Sequence, residues 1–417
     1  MKALRFGICA LLAFSVLAHG VVEVWSSSAF EIAAGLLFLL WGALALVGKI
    51  PELHFNPLLW PFVAFLGTGA LQVVAHTSVL PFFTGVELLK LFACFLVFFL
   101  FLQAFRTRGD LAGFVGFLIF FGFAVSLFGI AQHFTSNGKI YWIRPVPENG
   151  PFFGPYVNGN HFAGFVELIV PLGLALIAFR GIRRDLLPLT GLCTIVPIGA
   201  LVMTGSRGGI LVFAFELGLL VLLSSTHRAH KTRIKTLAAV VLGAFALVAW
   251  LGANKAMEKF GELRRGDVTN SRRWSMLVGS AHVFFDHPIL GAGLGTLVDA
   301  FPKYDTQYDG RVVDHSHNDY IEVLADSGLL GGFCCGIFLF LLFQMALSHL
   351  ESDQGHFSRG YHAGALLACA GILLHSFVDF NLHIPANLLL FLLQAALATS
   401  PVLPSEGFQR AAKHPQA

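Results

Sequence analysis

Apolar residues in this chain neither alternate nor keep to one helical face; they come in unbroken blocks. Runs of about 20 residues, enough to cross about 30 Å of hydrocarbon, begin near Leu4, Ala29, Leu58, Thr84, Leu111, His161, Leu186, Gly208, Thr236, Gly328, Tyr361 and Pro385. Backbone polar groups in lipid must be satisfied within their own segment, so each block predicts a helix. The pattern predicts an all-α integral membrane protein of about twelve transmembrane helices, with residues 1–417 forming one polytopic domain. The first run, Leu4 to Val24, follows Lys2 and Arg5. It is longer than a secretory h-region and lacks a small-x-small cleavage site, which predicts a retained first span.

The polar stretches set the orientation. Lys and Arg collect in alternate short loops: Lys49, Arg106 and Arg108, then Arg180, Arg183 and Arg184, then Arg228 to Lys235, and finally Arg359, Arg410 and Lys413. By the positive-inside rule these loops and both termini are expected in the cytoplasm. Residues 253–327 then form one large, partly helical outer loop, and His133 to Asn160 a shorter one.

Composition removes the alternatives. Of 417 residues, 56% are hydrophobic and 12% charged, against roughly 25% charged in a soluble domain. Mean hydropathy is +0.74. A formal net charge of +3, widely scattered, does not suit a nucleic-acid partner. All six cysteines lie in apolar runs without CxxC spacing, so they read as small core residues rather than a disulfide framework.

Charges near span ends are where chemistry is expected, because each is costly in a bilayer. In Thr204-Gly205-Ser206-Arg207-Gly208-Gly209, Ser206 can cap the next helix and leave a positive dipole end beside Arg207. Such an end suits a phosphate; an arginine reaching to lipid headgroups fits equally. Asn270-Ser271-Arg272-Arg273-Trp274 opens a helix with an apolar stripe at Trp274, Leu277, Val278, Ala281, Phe284 and Phe285. Arg272 and Arg273 repeat the motif of cation plus helix start, or are a solvated pair. Gly291-Ala292-Gly293-Leu294-Gly295 has no preceding strand and reads as a turn.

Asp314-His315-Ser316-His317-Asn318-Asp319-Tyr320 offers Ser316 and Asp319 as a capping box, with His317 on the first helical turn. There His317 could serve as a general base, His315, His317 and Asp319 could hold a metal, or the segment could be a plain polar cap. His375 and Asp379 stand one turn apart and either pair with each other or line an outer pocket. Lys90, Glu87, Glu167 and Glu216 are the plausible intramembrane charges.

The Ser-Arg-Gly-Gly turn, the Arg-Trp helix running into His-Pro-Ile-Leu-Gly-Ala-Gly-Leu-Gly, and His-Asn-Asp-Tyr-Ile-Glu-Val-Leu-Ala-Asp-Ser-Gly occur in this order. Gly154-Pro155-Tyr156-Val157-Asn158-Gly159-Asn160-His161 precedes them. Over residues 154–332 the chain resembles the O-antigen ligase and polymerase superfamily of bacterial envelope glycan transferases. The resemblance implies a GT-C-like, metal-independent, inverting glycosyltransferase of the bacterial inner membrane, with its active face periplasmic and no cofactor. It implies an undecaprenyl-diphosphate-linked glycan as donor and a lipid- or glycan-linked acceptor. His317 matches the family's catalytic histidine, and Arg207 with Arg272, or Arg273 in its place, the diphosphate-binding arginines. Ser206, Asn318, Asp319 and His315 stand as supporting residues. Ligase and polymerase differ only in acceptor. A transporter of lipid-linked glycans is the reading from another class, and it would place more charge at the bilayer midplane.

Overall fold

A computed structural model describes residues 1–50, 53–146, 152–225, 242, 267–308, 310–351 and 355–401. These are almost entirely helical: α1 (Lys2–Leu17), α2 (Val24–Leu46), α3 (Leu59–Val74), α4 (Pro81–Ala104), α5 (Arg108–Thr135), α6 (Gly159–Glu167), α7 (Val170–Ala178), α8 (Leu187–Thr204), α9 (Arg207–Ser225), α10 (Asp267–Asp286), α11 (Leu297–Ala300), α12 (Asp319–Glu351), α13 (Gly355–His375) and α14 (Pro385–Thr399). Two-residue strands β1 (Lys139–Ile140) and β2 (Arg144–Pro145) pair antiparallel after α5.

Seven of the described spans are long and apolar enough to cross a membrane: α2, α4, α5, the α6–α7 pair, the segment ending in α8, α9 and α12. Helices also occupy the runs near Leu4, Leu58, Tyr361 and Pro385. Most are shorter than a full span; α3 and α14 are short apolar helices of 16 and 15 residues. The run expected near Thr236 lies outside the described residues, as do positions 253–266 of the large loop.

The innermost elements are α7, α13 and α14, with α13 packed against both of the others. Close approach rests on missing side chains: a Cβ on Gly364 of α13 would sit 2.7 Å from Leu172 Cα in α7. Without a hydrophobic effect between helices in lipid, such small-residue contacts supply the packing. Buried polar groups find partners across helices. The Tyr156 hydroxyl donates to Asn387 Oδ1 at 2.8 Å, and Asn56 Nδ2 donates to Thr399 Oγ1 at 3.0 Å.

The apolar stripe of α10, expected to lie against the membrane or the bundle top, is not the face the helix buries within the fold. Trp274 and Phe285 are exposed, whereas Ser275, Gly279, Ser280 and Val283 turn inward. Gly279 lets the Phe301 ring lie against the helix, and packing there outweighs side-chain polarity.

Helix α12 is interrupted. Gly328 has φ 62° and ψ −164°, and two helical segments meet there. The broken ladder is completed by the glycine-rich turn: Ala292 and Gly293 N–H groups donate to Ala325 and Asp326 carbonyls at 2.8 and 3.0 Å, and Leu329 N–H donates to Pro288 O at 2.9 Å. Gln72 of α3 pins the same turn through Leu294 N–H at 3.1 Å and the Asp326 carbonyl at 2.7 Å. A Cβ at Gly328 would strike the Ile289 carbonyl. Gly328→Ala is therefore expected to cost more than the ~1–3 kcal/mol of backbone strain alone, read as a lower unfolding temperature and lower yield of detergent-purified protein.

Candidate functional site

Of the polar residues singled out along the sequence, His315, His317, Asp319, Glu167, His375 and Asp379 gather where α6, α9 and α12 begin and α13 ends. Helix α12 starts at Asp319, and its cap is Asn318, whose Oδ1 accepts the Tyr320 and Ile321 N–H groups at 3.0 and 3.1 Å. The expected capping box of Ser316 with Asp319 does not form. The Ser316 N–H donates to Glu322 Oε2 at 2.8 Å, and the Asp319 carboxylate is used elsewhere. His317 accordingly lies before the helix, not on its first turn, with φ at +54°. That non-glycine outlier turns the ring toward the segment following α13.

There His317 Nδ1 meets Asp379 Oδ1 at 3.2 Å. The ionised carboxylate can only accept, so Nδ1 carries the proton and Nε2 is left as a base. Asp379 is buried and further held by the Phe380 N–H at 2.9 Å and by Asn160 Nδ2 at 2.7 Å. His161 Nε2 stands 4.0 Å from the same oxygen. Burial alone would raise the Asp379 carboxyl, but His317 and His161 hold it well below the ordinary carboxylate range. The Phe380 ring sits between three imidazoles, with centroids 4.6 Å from His161, 4.2 Å from His315 and 5.0 Å from His317.

His375 and Asp379 do not pair through their side chains. His375 Nδ1 lies 3.0 Å from both Glu167 oxygens. Of the other intramembrane charges, Glu87 and Lys90 pair at 2.5 Å. Glu216 is buried with no hydrogen-bond partner among the described residues.

Ser206 caps α9 as expected, its Oγ accepting the Gly209 N–H at 3.2 Å, after Gly205 closes α8 with φ 68°. A Cβ on Gly208 would lie 2.7 Å from His375 Nε2, so this helix start abuts the segment leading to Asp379. Arg207 is exposed at that start. Arg272 is differently placed: both Nη atoms bind the Asp305 carboxylate, at 2.6 and 2.9 Å, and Nη1 also reaches Gln307 O at 2.6 Å. The bond from Arg272 holds the Asp305 carboxyl below its usual range. Arg273 is half-buried.

On the other side of the α12 start, Asp319 accepts from His383 Nδ1 at 2.6 Å, Ser376 Oγ at 2.7 Å and Leu382 N–H at 3.2 Å. Glu322 Oε1 lies 2.5 Å from His315 Nδ1 and 3.5 Å from His383 Nε2. Burial disfavours charge on His383, yet Glu322 and Asp319 push its ring up to about 10. The metal set weighed from sequence, His315, His317 and Asp319, is not assembled, because His317 faces Asp379. Asp319, Ser376 and His383 also line a cavity of about 850 Å³, otherwise walled mainly by apolar side chains of α3, α4, α12 and α14.

A family model described as O-antigen ligase matches residues 192–336. The matched stretch is similar to that family and overlaps the region whose motifs resemble the O-antigen ligase and polymerase superfamily. No curated protein gives a match. The matched stretch contains Arg207, Arg272, Arg273, His315, His317, Asn318 and Asp319, but not Asn160, His161, Asp379 or His383. Asn160 and His161 come from α6, Asp379 and His383 from the connection between α13 and α14, and reading along the sequence gave them no role at His317. The one available signal was polarity beside apolar blocks, which does not reveal which loops meet.

Asp379→Asn keeps the shape but leaves His317 without a carboxylate to fix its tautomer. Activity at equal membrane abundance is expected to fall by about 10²-fold or more. The depressed Asp379 carboxyl contributes stability that is fully present above its unfolded value of about 3.9 and is lost as pH falls through its lower folded value. The difference in unfolding temperature between wild type and Asp379→Asn should therefore shrink as pH falls below about 4.

Proposed function

We propose that this membrane enzyme is a glycosyltransferase that moves a glycan from an undecaprenyl-diphosphate carrier to an acceptor hydroxyl, in lipopolysaccharide or exopolysaccharide assembly. The observation that carries the reading is the Asp379–His317 pair, which leaves an imidazole Nε2 available as a base beside the amino-terminal end of α9. The active face is periplasmic, where nucleotide-activated sugars are absent, so the donor arrives with its leaving group attached.

In this scheme His317 Nε2 takes the acceptor proton as that oxygen attacks the anomeric carbon. The bond from that carbon to the diphosphate breaks, and a single displacement inverts the centre. Arg207 and the positive dipole end of α9 stabilise the charge left on the diphosphate. A guanidinium suits it because it forks onto two oxygens. Arg272 joins only by releasing Asp305, so Arg273 is the readier second arginine. Ser206 sets the helix end, Asn318 sets the α12 start, and Asp319 and His315 support the loop that presents His317. The apolar cavity offers hydrocarbon space for the carrier tail. As the resemblance implies, no step is routed through a metal. A polymerase would use the same groups with a growing glycan as acceptor.

The test is gel analysis of surface and lipid-linked glycans in a strain lacking the gene, complemented with wild type or variants. Long chains stranded on the carrier lipid identify a ligase, and single repeat units without long chains a polymerase. His317→Ala at normal abundance should restore neither, and near-normal rescue by it would favour a transporter. Arg207→Lys should lower transfer by about tenfold or more, since a point charge replaces the fork.

A further inference from the structure

The cluster on the far side of the α12 start has a composition the proposed transfer does not require. His315 Nδ1, Glu322 Oε1 and His383 Nε2 come from three segments: the loop before α12, its first turn, and the 3₁₀ turn Asn381–His383. Their ligand atoms all lie within 4.8 Å of one another. We propose that these three residues form a binding site for a divalent transition-metal ion of the zinc class, one that braces the loop carrying His317 rather than taking part in transfer.

The donor set favours this class. Two imidazole nitrogens and one carboxylate oxygen are the ligands of open zinc sites, and they serve hard cations such as magnesium poorly. The surroundings orient each ligand. His383 gives its other ring N–H to Asp319 at 2.6 Å, and Asp319 is itself fixed by Ser376 at 2.7 Å. A carboxylate behind a ligating histidine fixes its tautomer and aims the second nitrogen. Glu322 is fixed through its other oxygen by the Ser316 N–H at 2.8 Å, leaving Oε1 to face both rings. His315 is stacked on Phe380 at 4.2 Å with 18° between the planes.

Tetrahedral bonds of about 2.0–2.1 Å would set ligand atoms about 3.3 Å apart. The His383–Glu322 separation of 3.5 Å already matches. The His315–Glu322 separation of 2.5 Å must open by somewhat under 1 Å. The His315 side chain is 28% exposed, against 2% for Glu322, so it can swing and also marks where an ion enters. Without an ion, protons on the two histidines satisfy the same carboxylates, so the competing state is a hydrogen-bonded ion-pair network.

The experiment uses the full chain in detergent, stripped with a chelator, incubated with zinc or magnesium and then gel-filtered. Metal content is read by mass spectrometry and stability by thermal unfolding. About one zinc per chain is expected, with a raised unfolding temperature, and no retained magnesium. His315→Ala and Glu322→Gln should weaken zinc retention at least tenfold, while His317→Ala keeps it. His315→Ala is the decisive variant, because it removes the most exposed of the three ligands and leaves Glu322 and His383 in place. No retained zinc, or equal retention by wild type and both ligand variants, would overturn the site and leave the ion-pair network in its place. Neither readout involves glycan transfer, so the result is independent of the function proposed above.

Discussion

Asp319 joins the two halves of the candidate site. Its N–H donates to the Ser376 carbonyl at 2.9 Å, while its carboxylate gathers Ser376, Leu382 and His383. One residue thus ties the first turn of α12 to the whole connection between α13 and α14. Asn318 adds a second tie through the Phe377 carbonyl at 3.0 Å. With α12 anchored there, His317 has a short reach to Asp379, and the cost of its left-handed backbone is met by the contacts on either side. A carboxylate with several donors, enclosed by helices, resists rearrangement, since removing any partner exposes a buried charge.

Much of the architecture was legible because lipid imposes a simple rule. A helix satisfies its own backbone, so hydrophobic blocks predict helices, and helices occupy the described blocks from Leu4 to Pro385. Ser206 as a cap was also readable, since capping depends on local chemistry. His317 and Arg207 stood out through charge at span ends and through ordered motifs.

The rest depended on which loops meet. The pairing of His317 with Asp379 joins positions 62 residues apart, and that of His375 with Glu167 joins positions 208 apart. No periodicity encodes such contacts. The face that α10 packs into the fold was not readable either, because burial there follows shape: Gly279 fits against the Phe301 ring. Arg272 looked like Arg207 in sequence, each an arginine near a helix start, yet Asp305, 33 residues away, occupies its fork.

The interruption at Gly328 has a consequence for the order of assembly. Helix α12 cannot complete its backbone pairing alone, because carbonyls at Ala325 and Asp326 and the Leu329 N–H rely on residues 288–293. Those residues lie upstream, so the ribosome releases them before the helix that needs them. Synthesis from the amino end therefore supplies the missing partner in advance. A circular permutation that placed 288–293 after α12 would leave these groups unpaired while the helix entered lipid.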